Sequence, residues 1–146
     1  MFKPAQTAIN ILLVDDDDVA VEGVQRSLAK SDVNFNITTA GDGLEALQIL
    51  RGEHPEKTVS PPMLVLLDLN MPLMDGLEFL AVIRDDDILH STVVFVLTTS
   101  SRDCDRSAAY QKHIAGYMVK SVVGPQFAKL SELLTSFSRS VNLPGE

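Results

Sequence analysis

The sequence predicts an α/β fold: a parallel β-sheet covered by helices on both faces. Three observations carry this. Short apolar runs alternate with segments of helical period along the whole chain, a pattern that implies strand–helix crossovers and a parallel sheet. The strands Ile9–Val14, Met63–Leu67 and Thr92–Leu97 are continuously apolar, as expected of strands buried on both sides. With 146 residues, the chain fits one domain, and its 45% apolar content is ample for a core.

The elements follow in order. Ile9–Val14 reads as the first strand, and Val19, Val21, Val24 and Leu28 place one face of a helix ending near Lys30. Phe35–Ala40 alternates and is β-branched, as in a strand nearer an edge. Asp42 is placed to cap the helix carrying Leu44, Leu47 and Leu50. A polar loop with Pro55, Pro61 and Pro62 leads to the strand Met63–Leu67. Gly76–Arg84 reads as a helix with Phe79 and Ile83 on one face, and Thr92–Leu97 as the fourth strand. Ser101–Ile114 is a weak helix, poor in large apolar residues. Gly116–Val119 is a short fifth strand, and Phe127, Leu130, Leu134 and Phe137 form the apolar stripe of a last helix. The result is a doubly wound (βα)5 arrangement. No internal repeat, low-complexity linker or second domain is visible.

Composition narrows the function. The net charge is −8 and no Lys/Arg cluster stands out, so phosphate-neutralising contact with nucleic acid is not expected. No run approaches the roughly 18 apolar residues of a membrane span, and the N-terminus lacks a signal peptide's apolar core. A cytoplasmic location is expected. Cys104 is alone, which excludes an internal disulfide and disfavours a thiolate metal site.

Asp68 is the most informative residue. It is the only ionisable group between Lys57 and Asp75, and it directly follows the buried strand Met63–Leu67. A carboxylate there is costly to desolvate unless something pairs with it. A second acidic group, Asp15–Asp18, follows the first strand. Asp17 and Asp18 read as a solvated run opening a helix. In open parallel sheets, ligands bind beyond the carboxyl ends of strands where strand order reverses. If the strand order is 2-1-3-4-5, that crevice lies between the first and third strands, whose ends carry Asp15, Asp16 and Asp68. Charges 4 Å apart repel by roughly 4 kcal/mol at an effective dielectric of 20, so either one acid is protonated or a cation sits among them. Oxygen ligands without His or Cys select Mg2+ or Mn2+ over Zn2+. Thr98 and Lys120 end the fourth and fifth strands, and a hydroxyl and an ammonium on the same edge suit a phosphoryl group.

The segments ILLVDDDD (11–18), LLDLNMPLMDG (66–76), VVFVLTTS (93–100) and GYMVK (116–120) together resemble the response-regulator receiver domain, over residues 8–140. The resemblance implies a flavodoxin-like fold with strand order 2-1-3-4-5, short polar tails at 1–7 and 141–146, and no output domain. It implies Asp68 as phosphoacceptor for a sensor histidine kinase. It further implies Mg2+ (or Mn2+) held by Asp16 directly, Asp15 largely through water, Asp68 and the Asn70 backbone carbonyl. Thr98 and Lys120 would contact phosphoryl oxygens, Tyr117 would swing inward as Thr98 moves, and Asn70 and Ser100 would tune the phosphoryl lifetime. Pro72 and Gly76 would shape the loop after Asp68, the glycine by relieving strain. Such a protein is a signalling switch, not an enzyme acting on other substrates.

The pattern departs from the family at three places. Ser121 stands where Pro usually follows the lysine, Thr99 is bulkier than the usual Ala or Gly, and Val93 replaces a common Pro. The loop 53–62, DLNMP and LTTS resemble stand-alone receivers paired with phytochrome-type histidine kinases, which often dimerise through the face of the fourth helix, fifth strand and fifth helix. Phe127, Leu130 and Phe137 could serve that face, although core packing explains them more simply. Two other readings compete. One is a pseudo-receiver that only binds proteins. The other is a haloacid-dehalogenase-like phosphatase, which would need a second Asp at the position of Asn70.

Overall fold

A computed structural model describes residues 8–145. Its elements are β1 (Ile9–Val14), α1 (Asp18–Ala29), β2 (Phe35–Ala40), α2 (Gly43–Leu50), β3 (Met63–Leu67), α3 (Gly76–Arg84), β4 (Val94–Thr98), α4 (Asp103–Gln111), β5 (Gly116–Val119) and α5 (Ala128–Ser140), with a 3-10 turn at Pro125–Phe127 before α5. The five strands form one sheet in the order β2-β1-β3-β4-β5, and every neighbouring pair is parallel. The predicted topology is the observed one.

Strand pleating divides the core in two. Leu12, Val14, Val65, Leu67, Val94 and Val96 meet Ala46, Leu47 and Ile49 of α2, Phe79, Leu80 and Ile83 of α3, and Ala109 of α4. Ile9, Ile11, Leu13, Leu64, Leu66, Phe95 and Leu97 meet Val24 and Leu28 of α1 and Leu130 and Leu134 of α5. The α5 stripe therefore serves the core, with Phe137 set edge-on to Phe95 at a centroid distance of 5.1 Å.

Three differences from expectation have local causes. β4 starts after Thr92, because both the backbone N–H and the hydroxyl of Thr92 donate to the Leu89 carbonyl and hold it in the preceding turn. α4 is shorter than 101–114. His113 takes a left-handed backbone (φ 60°) and ends it. The tail beyond α5 is not a polar appendage: Leu143 is buried within the α1/α5-side core, and Gly145 lies so close to Pro61 that a Cβ there would stand 2.3 Å from the proline ring. The loop before β3 is anchored at several points. His54 Nε2 lies 3.1 Å from Glu45, its Nδ1 accepts the N–H groups of Glu56 and Lys57, and Lys57 donates to the Thr39 carbonyl of edge strand β2.

Arg84 fastens the opposite side. Its guanidinium donates to the carbonyls of His90, Thr92, Lys112 and His113 at 2.6–3.1 Å. This joins the end of α3 to the segment before β4 and to the C-terminal end of α4. Burial lowers its pKa.

Candidate functional site

The ends of β1 and β3 bring the acids together. The Asp15 N–H donates to Ala40 and the Asp68 N–H to Val14, so both residues continue the sheet ladder beyond their strands. Asp15 and Asp68 are buried and Asp16 is exposed, yet the three offer carboxylate oxygens all within 4.8 Å of one another. Lys120 reaches in from the end of β5. Its Nζ stands 2.8 Å from Asp15 Oδ2 and 3.6 Å from Asp68 Oδ2. Among the described residues the one cis peptide is Pro61–Pro62. The Lys120–Ser121 bond is therefore trans, and Lys120 enters the site without a proline after it. Its backbone N–H is held by the Thr98 carbonyl at 2.8 Å.

The electrostatics follow from this packing. Burial pushes the Asp15 carboxyl above its usual range, against hydrogen bonds from Lys120 and the Asp17 N–H that pull it down. For Lys120, burial favours the neutral amine, but the hydrogen bond and charge of Asp15, with Asp68 and Asp17 behind, raise its pKa overall. One ammonium cannot neutralise three carboxylates. The all-oxygen donor set, partly buried and open on the Asp16 side, fits a hard divalent cation such as Mg2+ or Mn2+.

The other expected residues surround this centre. Thr98 is fully buried, and its hydroxyl receives a long 3.4 Å contact from the Ser100 N–H. The Asn70 N–H donates to Asp68 Oδ1 at 3.3 Å. The Tyr117 hydroxyl donates to the Ser100 carbonyl at 2.9 Å, which places the ring toward the β4–α4 loop.

The loop after Asp68 makes a tight return. A Cβ on Gly76 would lie 2.4 Å from the Asp68 carbonyl oxygen and 2.7 Å from Leu69 Cα, so close approach rather than backbone strain demands glycine. The positive φ in this loop belongs to Leu73, at 64°. Asp75 then caps α3 in a reciprocal box with Glu78.

The sequence matches the family model for the response regulator receiver domain over residues 11–132. The chain belongs to this family. This receiver is 36% identical to the response regulator Rcp1 of Synechocystis sp. over 135 residues, 92% of each chain. The crystal structure of the phosphorylated cyanobacterial phytochrome response regulator RcpA superposes on it with a TM-score of 0.83 at 36% identity, covering 93% of this chain and 98% of that one. The Mn2+-bound form of Rcp1 gives 0.82 at 36% identity, covering 93% and 99%. The receiver is thus a response regulator of two-component signalling. None of its described helices is long and apolar enough to cross a membrane.

Sequence reasoning missed the hydrogen bond from Ser100 Oγ to Asp105 Oδ2, 2.6 Å long. A Ser five residues before an Asp carries no periodic signal, and only the loop's path brings the two together.

Proposed function

We propose that the receiver accepts a phosphoryl group on Asp68 from a phosphohistidine of a sensor histidine kinase. The carrying observation is the convergence of Asp15, Asp16 and Asp68 within 4.8 Å beside Lys120. A carboxylate oxygen of Asp68 attacks phosphorus, the P–N bond to the donor histidine breaks with its electron pair leaving on the imidazole, and an acyl phosphate forms. Asp16, Asp68 and the Asn70 carbonyl, with Asp15 largely through water, would hold Mg2+ or Mn2+, which when bound would offset charge on the transferring oxygens. Lys120 pairs with one phosphoryl oxygen and the Thr98 hydroxyl donates to another. Asn70 and Ser100 tune hydrolysis of the acyl phosphate. Tyr117 follows Thr98, and the α4–β5–α5 surface reports the change to a partner.

The similarity to Rcp1 and RcpA supports a phytochrome-type kinase as donor, and the setting we propose is cytoplasmic. Tyr110 and Leu133, exposed on α4 and α5, suit docking of a second copy on that face, which sedimentation with and without beryllofluoride would test. Nothing favours a purely protein-binding role, because Lys120 reaches the acids despite Ser121.

The decisive test is transfer of labelled phosphate from a cognate kinase. Wild type should label in a Mg2+-dependent manner and Asp68→Asn should not. Full labelling of Asp68→Asn would refute the assignment.

A further inference from the structure

Ser100 is a junction. Its N–H meets the Thr98 hydroxyl, its carbonyl accepts from Tyr117, its hydroxyl accepts the Arg102 N–H and donates to Asp105. Asp105 lies in the first turn of α4, whose N-cap residue Arg102 makes no side-chain capping bond. Packing holds this helix weakly, since Ala109 is its one buried residue. Its far end is fixed by Arg84 through the Lys112 and His113 carbonyls. A short helix clamped at its C-terminal end and packed through one alanine moves at its N-terminal end, and the tether there is the Asp105–Ser100 bond.

We infer that Asp105 is the positioning residue that transmits displacement of the Thr98–Ser100 segment to α4. The inference rests on the phosphoacceptor reading. When the Thr98 hydroxyl turns to a phosphoryl oxygen, its long contact with the Ser100 N–H is given up at little cost, because a 3.4 Å bond is weak. Ser100 then shifts, and Asp105 carries the first turn of α4 with it. Without the carboxylate the site still charges, but the helix no longer follows. The acceptor oxygen matters rather than the charge, so asparagine should substitute.

Cys104, exposed and the one cysteine in the sequence, reports on this turn. The experiment measures its rate of modification by a soluble disulfide reagent, with and without beryllofluoride and Mg2+, while fluorine NMR follows ligand binding separately. In wild type, binding should alter the Cys104 rate. In Asp105→Ala, binding should persist and the rate change should be lost. Asp105→Asn should restore it, and Asp103→Asn, on the other side of Cys104, should leave it intact. The inference is overturned if Asp105→Ala binds and responds like wild type, if Asp105→Asn is as unresponsive as Asp105→Ala, or if wild type binds without any change at Cys104. Absence of beryllofluoride binding in wild type would instead refute the phosphoacceptor reading, and this inference with it.

Discussion

Lys120 rests on Asp15, not on Asp68: the ammonium is 2.8 Å from the first carboxylate and 3.6 Å from the second. If Asp68 accepts a phosphoryl group, the lysine must therefore change partners, and the departure leaves Asp15 to whatever cation is present. Removing the ammonium strands buried carboxylates. Lys120→Met should destabilise the metal-free protein by about 2 kcal/mol in urea denaturation. Saturating Mg2+ should recover part of this, and phosphoryl transfer should be strongly reduced even then. A variant as stable and as readily labelled as wild type would contradict this account.

Asp15 gives a prediction with a definite pH sign. Its carboxyl titrates higher in the folded protein than in the unfolded chain, so the folded state binds the proton more tightly. Its contribution to stability is fully present below the unfolded value of 3.8 and is lost as pH rises through the folded pKa. Ionised Asp15 is thus a cost to stability. Asp15→Asn should stabilise the metal-free protein by about 1 kcal/mol at pH 7 and lose that advantage in acid. The same variant should show little stabilisation by Mg2+. Thermal unfolding across pH, with and without Mg2+, reads both effects.

Gly76 tests whether the Asp68 loop tolerates any side chain. The atoms an added Cβ would meet are the Asp68 carbonyl and Leu69 Cα, both backbone and unable to rotate away. Gly76→Ala should cost about 2 kcal/mol and slow phosphoryl transfer, because the group displaced belongs to Asp68 itself. Gly52→Ala is the control, having nothing within 4 Å but a positive φ. It should cost stability without altering transfer.

The strands, and the placing of Asp15, Asp68, Thr98 and Lys120 at their ends, were legible because each of these residues ends an apolar run long enough to be recognised as a strand, whereas the sheet order came from the resemblance to receiver domains. The expected weakness of the fourth helix also matches α4, which buries only Ala109. What stayed hidden depends on side-chain direction. Sequence cannot say which of two acids a lysine prefers, nor that Ser100 Oγ turns to Asp105. Thr92 looks like any β-branched strand residue, and only its two bonds to the Leu89 carbonyl remove it from β4. Leu143 is a single apolar residue in a polar tail, too little to register as a pattern.

That leucine yields the last prediction. Leu143→Ala should destabilise the protein by about 2–3 kcal/mol, and truncation after Ser140 should do at least as much. Neither should alter the Mg2+ dependence of labelling, because Leu143 packs in the core among residues such as Ile9 and Leu64.

Gly145 rests against Pro61, just ahead of β3, while Asp68 lies past the other end of the same strand. A surface tether or fluorescent tag joined beyond Gly145 would consequently leave the Asp68 end of the sheet unobstructed. A spacer is still needed there, since pulling on the attachment would tug directly at a core side chain.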